Sequence, residues 1–99
     1  MYGLYSKLLA KEGKRSEFVS ILQRSAALVA EHSGCFLYTV NEDLEDDTCL
    51  WIYEAWDSEA SHDESLKDSR VRALISEAIP LMGGQPEASK LNVVGGHGL

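Results

Sequence analysis

The chain begins with alternating positions and then changes to a helical period. Between residues 2 and 10, Leu4, Ser6 and Leu8 share one face of an extended chain, which predicts a first strand. From residue 14 onward apolar residues recur at three- and four-residue steps, which predicts a helix of about 18 residues. Gly34 is expected to end this helix in the left-handed conformation that glycine adopts readily. The apolar stripe of the helix consists of Phe18, Ile21, Leu22, Leu28 and Val29.

Two more apolar stretches follow, "CFLYTVN" and "TCLWIYEAW", separated by the acidic "EDLEDD". Their short polar connector predicts an antiparallel hairpin that turns near residues 43 to 47. After Trp56, either Asp57 or Ser58 can cap a new helix. Helical spacing resumes from Val71 and ends near Pro80, and a last strand is expected at about residues 89 to 94.

This order of elements predicts one domain over residues 1–99 with an α+β, ferredoxin-like fold: a split β-α-β arrangement with a four-stranded antiparallel sheet. If Glu54 and Trp56 face the helices, then Trp51 and Tyr53 lie on the opposite face. Leu9, Phe36, Tyr38 and Val40 are expected to join them there. Because monomers rarely expose so large an apolar patch, we predict a homodimer through this sheet face, centred on Trp51, Tyr53 and Tyr38.

Charge and composition exclude several partners. The 99 residues contain 9 Lys and Arg against 16 Asp and Glu, a net charge of -7. The basic residues are dispersed, which argues against binding nucleic acid. No signal sequence and no apolar stretch of about 18 residues is present, so we expect a soluble cytoplasmic protein that does not bind membranes. Cys35 and Cys49 are expected to be reduced, and no motif suggests a metal or a nucleotide.

Several stretches carry a family resemblance: "GC" followed by "Y" in the second strand, "YEAW", "SEASHDESL", "VRALISEAIPL" and the final "VGGHGL". With the order of elements, they resemble the antibiotic biosynthesis monooxygenase superfamily, in the branch named for quinol monooxygenases. The resemblance implies a dimeric α/β barrel with an apolar pocket between sheet and helices. It also implies oxidation of a small aromatic substrate by O2 without flavin or metal, in which the deprotonated substrate passes an electron to O2.

Three residues are the predicted catalytic group. Trp56 corresponds to a pocket tryptophan of haem-degrading relatives, although it could equally be a core residue. Glu54 is expected to point inward, where it is either paired or has the raised pKa of a useful base. His62 could take a substrate proton or lie on a solvated helix face, and many relatives place their histidine three residues later, at Ser65 here.

The predicted substrate contacts are Asn41, Ser6, Phe18 and Leu22, with Asn41 also a typical turn former and Ser6 also a candidate core hydroxyl. His97, in the glycine-rich tail, receives no role. The positions that hold an asparagine and an axial histidine in haem-degrading relatives fall on Ser6 and Ser76, so neither haem nor another cofactor is expected.

The same pocket and base would suit an isomerase or other proton-transfer enzyme acting on a small carbonyl compound. A small dimeric protein that binds an apolar metabolite without transforming it is the third possibility. The resemblance favours the monooxygenase, and fold alone does not decide among the three.

Overall fold

The computed structural model covers residues 1–99 and confirms the ferredoxin-like order of elements. Its sheet has four antiparallel strands in the order β2-β3-β1-β4. The strands are β1 (Tyr2–Leu9), β2 (Cys35–Glu42), β3 (Cys49–Trp56) and β4 (Glu87–Asn92). The helices are α1 (Arg15–Val29), α2 (Glu59–Ser65) and α3 (Ser69–Ala78), and a 3-10 turn (Ile79–Leu81) follows α3. No helix has the length and apolar character needed to span a membrane.

The helix boundaries have local causes. Ser58 caps α2 by accepting a hydrogen bond from the backbone N–H of Ser61, and Asp68 caps α3 through the N–H of Arg70. Pro80 lies in the 3-10 turn after α3, as its position predicts. Each cap satisfies a donor that the first helical turn leaves without a partner.

Gly34 has a different role from the one expected. Helix α1 ends at Val29, five residues before it, and Gly34 does not adopt a positive φ. A Cβ atom at this position would lie 2.7 Å from the Cβ of Ser61. The glycine is therefore needed because α2 approaches the start of β2 closely, and the prediction of a left-handed helix end was wrong.

The core lies between the sheet and the helical layer. One cluster joins α1, α3 and the middle of β3, and it includes Phe18, Leu50 and Leu74. A second, smaller cluster consists of Val29, Trp56 and Val71. This second cluster packs the end of β3 against both long helices, next to the candidate site.

The pairing register corrects part of the predicted outer face, which we define as the sheet face away from the helices. Trp51 and Tyr53 lie on it as predicted, because Glu54 and Trp56 are buried on the helix side. Tyr38, however, lies opposite Glu54, and Val40 lies opposite Ile52. Directly paired residues point to the same face, so Tyr38 and Val40 pack against the core and their predicted place on the outer face was wrong.

The hairpin loop (residues 43–48) is held by an arginine from the start of α1. Arg15 Nη1 donates to the carbonyl oxygens of Asp43, Asp46 and Cys49 at 3.1, 2.9 and 3.4 Å. Its Nε lies 3.3 Å from a carboxylate oxygen of Glu42. The loop therefore closes around the guanidinium group of Arg15, and these contacts anchor the start of α1 to the β2–β3 hairpin.

The two cysteines are free, as predicted. Cys35 pairs with Trp56 at one end of the hairpin, whereas Cys49 lies next to the loop at the other end. Burial is the largest cause that raises the pKa of each thiol, and a raised pKa makes a thiol less reactive at neutral pH.

Candidate active site

The candidate site is centred on two buried residues at the end of β3. Glu54 and Trp56 are two positions apart on the strand, so both side chains point toward the helices. Trp56 is completely buried and Glu54 is 8% exposed. The indole Nε1 of Trp56 donates to Glu54 Oε1 at 3.1 Å. A buried carboxyl group is thus held in place by a buried tryptophan.

Helix α2 adds His62 to this pair. The Ser58 cap and the close approach at Gly34 fix the start of the helix against the sheet, and His62 follows one turn later. The hydroxyl of buried Ser65 donates to the backbone oxygen of His62 at 2.6 Å. Because its side chain is only 12% exposed, His62 points inward and does not lie on a solvated helix face.

The imidazole of His62 has a carboxyl group on each side. Its Nε2 lies 3.9 Å from Glu54 Oε1, and its Nδ1 lies 3.0 Å from Asp63 Oδ1. The Trp56 ring meets the imidazole edge to face at a centroid distance of 5.6 Å, and the Tyr2 ring lies at 5.7 Å. Glu54, Trp56 and His62, the three predicted catalytic residues, therefore lie together.

Burial sets the electrostatics of this group. Desolvation raises the pKa of Glu54, and the hydrogen bond from Trp56 and the nearby His62 offset part of the effect. Burial likewise raises the pKa of Tyr38, which faces Glu54 from β2, and the Glu54 charge adds to that increase. A carboxyl group with a raised pKa can accept and release a proton closer to neutral pH.

No cavity lies at the site. The five surface hollows of the chain lie elsewhere, and none is lined by Glu54, Trp56 or His62. The helices pack mainly on β2 and β3, whereas every residue of β4 is exposed. The side of β1 and β4 is therefore the one that the helices cover least, and we call it the open side of the site.

The predicted substrate contacts do not all lie near the three predicted catalytic residues. Ser6 is half-buried on the helix side of β1, opposite Ile52 and two pairs away from Leu4 and Glu54. Asn41 lies at the other end of the sheet and on the outer face, where its Nδ2 donates to the Trp51 carbonyl at 2.9 Å. Asn41 therefore does not join the cluster, and Ser6 lies on the strand next to it.

Phe18 and Leu22 lie inside the first core cluster, 2% and 9% exposed. That cluster is separate from the one that contains Trp56, and their contact with a substrate stays a prediction. His97 is exposed in the tail after β4, and it too remains without a role.

Sequence reasoning missed two residues that touch His62. Tyr2 has the same parity as Leu4 and Ser6, so its direction toward the helices could have been inferred from the first strand. Asp63 gave no such signal, because successive helix residues point in different directions. At the open side of the site, Glu59 of α2 forms an ion pair with Lys90 of β4 at 2.6 Å, and this pair raises the pKa of Lys90.

Comparison with known proteins places the chain in a family. Residues 1–76 match the family model described as antibiotic biosynthesis monooxygenase. A crystal structure of a Chloroflexus aurantiacus protein assigned to the same monooxygenases is 37% identical, with a TM-score of 0.89, and the match covers 98% of this chain and 96% of that one. Comparison with curated protein sequences gives no match.

More distant structures show the fold alone. A Caulobacter crescentus protein, also assigned to the antibiotic biosynthesis monooxygenases, is 22% identical with a TM-score of 0.89, and the match covers 95% of this chain and 90% of that one. A mutant of SnoaB, a cofactor-independent oxygenase from Streptomyces nogalater, has 16% identity, a TM-score of 0.84 and coverage of 97% and 95%.

Proposed function

This chain belongs to the antibiotic biosynthesis monooxygenase family, and we propose that it catalyses the cofactor-independent oxidation of a small quinol or polyphenolic aromatic by O2. Neighbouring structures of the same fold include a cofactor-independent oxygenase. Such a reaction needs a base in a poorly hydrated place and an aromatic surface beside it. Glu54 and His62 provide the base, and the half-buried ring of Tyr2 beside His62 provides the aromatic surface, because Trp56 itself is completely buried.

The observation that carries the proposal is the buried Glu54 carboxyl group 3.9 Å from His62 Nε2. A carboxyl group buried without a basic residue is costly unless its proton is useful or well bonded. The neighbours of Glu54 are the indole N–H of Trp56 and the imidazole of His62, and neither is a permanent positive charge. This environment favours proton exchange over a fixed ion pair. This pair would take the phenolic proton of the substrate.

The chemistry then proceeds without a further reductant. Removal of a phenolic proton gives an electron-rich anion, which passes one electron to O2, and the two radicals combine at a ring carbon. Loss of water from the resulting peroxide gives a hydroxylated quinone, so that a hydroquinone and O2 become a hydroxyquinone and water. The protein supplies deprotonation, orientation and a site of low polarity.

The open side of the site is where we place the substrate. Tyr2, Leu4 and Ser6 follow one another along the helix-facing side of β1, and Leu4 is the pairing partner of Glu54. This row gives an aromatic ring, an apolar side chain and a hydroxyl within reach of the base. A flat ring lying across it would meet Glu54 from the side of β4.

Oxygen uptake with a panel of hydroquinones and anthrones tests the function. The native protein should consume one O2 for each substrate molecule oxidised, and His62→Ala should lower kcat/KM by about 10²-fold or more, the usual contribution of a general base. Absence of uptake with every substrate would contradict the proposal. Product formed under nitrogen would favour the isomerase, and saturable binding without product would favour the binding protein.

We also propose that two copies of the chain pack through their outer faces. Tyr5 lies 5.4 Å from Trp51 and 6.0 Å from Tyr53, so three aromatic rings form one group on this face. Tyr5 is 43% exposed because no helix of its own chain covers this face. Stable dimers bury about 800 Å² per partner with aromatic residues at the centre, which suits this face.

Light scattering at micromolar concentration should give the mass of a dimer for the native chain. Placing two like charges against each other in the double variant Trp51→Glu, Tyr53→Glu should give the 10.9 kDa monomer, because buried unpaired charges prevent association. Ile75→Glu, at an exposed apolar position of α3, is the matched control and should remain dimeric. A monomeric native protein would disprove the interface.

A further inference from the structure

The two nitrogens of His62 face different surroundings. Nδ1 lies 3.0 Å from Asp63 Oδ1, and the Asp63 side chain is 63% exposed. Nε2 faces the buried Glu54, whose side chain is 10% exposed. The imidazole therefore separates an interior carboxyl group from a carboxylate in solvent.

The contact with Asp63 determines which nitrogen carries the proton. An ionised carboxylate can only accept hydrogen bonds, so Nδ1 must donate to it. In the neutral ring the other nitrogen, Nε2, then has a free lone pair. Nε2 lies 3.9 Å from Glu54 Oε1, and a movement of about 1 Å would bring the two atoms to hydrogen-bonding distance.

We propose that Asp63 is a positioning residue that holds His62 in the Nδ1–H tautomer, so that His62 carries protons between the buried Glu54 carboxyl group and solvent. This proton transfer through His62, the relay, depends on the proposed function, whereas the tautomer assignment does not. When Glu54 has taken a substrate proton, its O–H bond breaks and an Nε2–H bond forms. The resulting imidazolium, between two carboxylates, releases one proton to water and returns to the tautomer that Asp63 favours.

Other charged and titratable groups surround the imidazole without competing for Nδ1. The Tyr2 ring of β1 lies tilted beside the imidazole, and burial raises the pKa of Tyr2, with a smaller contribution from Glu59. Glu59 on α2 and Lys90 on β4 neutralise each other at the rim. Asp63 is therefore the group placed to choose the tautomer.

Nitrogen NMR of histidine-labelled protein tests the tautomer without any substrate, with the His62 signals identified by their loss in His62→Ala. The native protein should show mainly the Nδ1–H form. Asp63→Ala should make Nε2–H the main form, and Asp63→Asn should restore Nδ1–H because its carbonyl oxygen still accepts. Glu64→Ala, on the exposed side of the same helix, should change nothing.

Kinetics test the relay. Asp63→Ala should lower kcat for quinol oxidation by about tenfold or more with little change in KM, since Asp63 faces solvent, and Asp63→Asn should recover most of the rate. A native Nε2–H form, or a tautomer unaltered in Asp63→Ala, would overturn the inference. If the native protein consumes no O2, the proposed function and the relay both fail, while the NMR result still decides the tautomer.

Discussion

Replacing Trp56 with alanine should lower the free energy of unfolding by about 3–5 kcal/mol, the usual cost of removing a large buried aromatic side chain. Trp56 has no exposed surface, and it packs with Val29 of α1 and Val71 of α3. Its removal leaves a cavity between the sheet and both long helices. For a domain of this size the loss corresponds to a fall in Tm on the order of 20 °C, which thermal unfolding followed by circular dichroism would measure.

Trp56→Phe is the matched variant, because it retains an aromatic ring but lacks the N–H that donates to Glu54. It should cost less stability than alanine. It should also raise the pKa of Glu54 further, because that hydrogen bond lowers it in the native protein. A loss below about 1 kcal/mol in Trp56→Ala would show that the surrounding residues collapse into the space.

Glu54→Gln should lower kcat/KM for quinol oxidation by about 10²- to 10⁴-fold, the range that a general base contributes. Glutamine has nearly the same shape and still offers an oxygen to the Trp56 indole, so the fold should be preserved. Glu12→Gln, in the exposed turn after β1, should keep full activity. Retained activity in Glu54→Gln would remove Glu54 from the mechanism.

The stability of Glu54→Gln should show an opposite trend to its activity. Burial raises the pKa of Glu54 above its ordinary value of 4.5, so the native state binds more protons than the unfolded state between those two pKa values. The contribution of Glu54 to the free energy of unfolding is therefore fully present below the ordinary pKa, and it is lost as the pH rises through the raised pKa. Urea unfolding at several pH values should show Glu54→Gln gaining stability over the native protein as the pH rises.

Where one face of a strand is clearly apolar, the sequence was enough to predict its direction. Leu4, Ser6 and Leu8 lie on the helix side as expected, as do Glu54 and Trp56. Strand β2 begins with four consecutive apolar residues, Cys35 to Tyr38, so alternation does not distinguish the two faces in this half of the strand. An irregularity in pairing between Cys35 and Leu37 also shifts its register, and for this reason Tyr38 was placed on the wrong face.

Three members of the candidate site, Glu54, Trp56 and His62, were predicted from the sequence, whereas Tyr2, Asp63 and the geometry of the site were not. The spacing of Glu54 and Trp56 fixed a common direction, and the capping signal at Ser58 placed His62 one turn into α2. The inward direction of His62 depends on how closely α2 approaches the sheet at Gly34, a tertiary contact that periodicity does not encode. The lack of a cavity beside Trp56 likewise depends on packing between elements distant in sequence.

The arginine at the centre of the hairpin loop has a practical consequence for protein engineering. An exposed acidic loop is ordinarily a good place for an affinity tag or an inserted domain. Here an insertion would separate the carbonyl groups that Arg15 binds and would release the start of α1 from the hairpin. The glycine-rich end of the chain, exposed throughout residues 95–99, is the better point of attachment for labels and surface immobilisation.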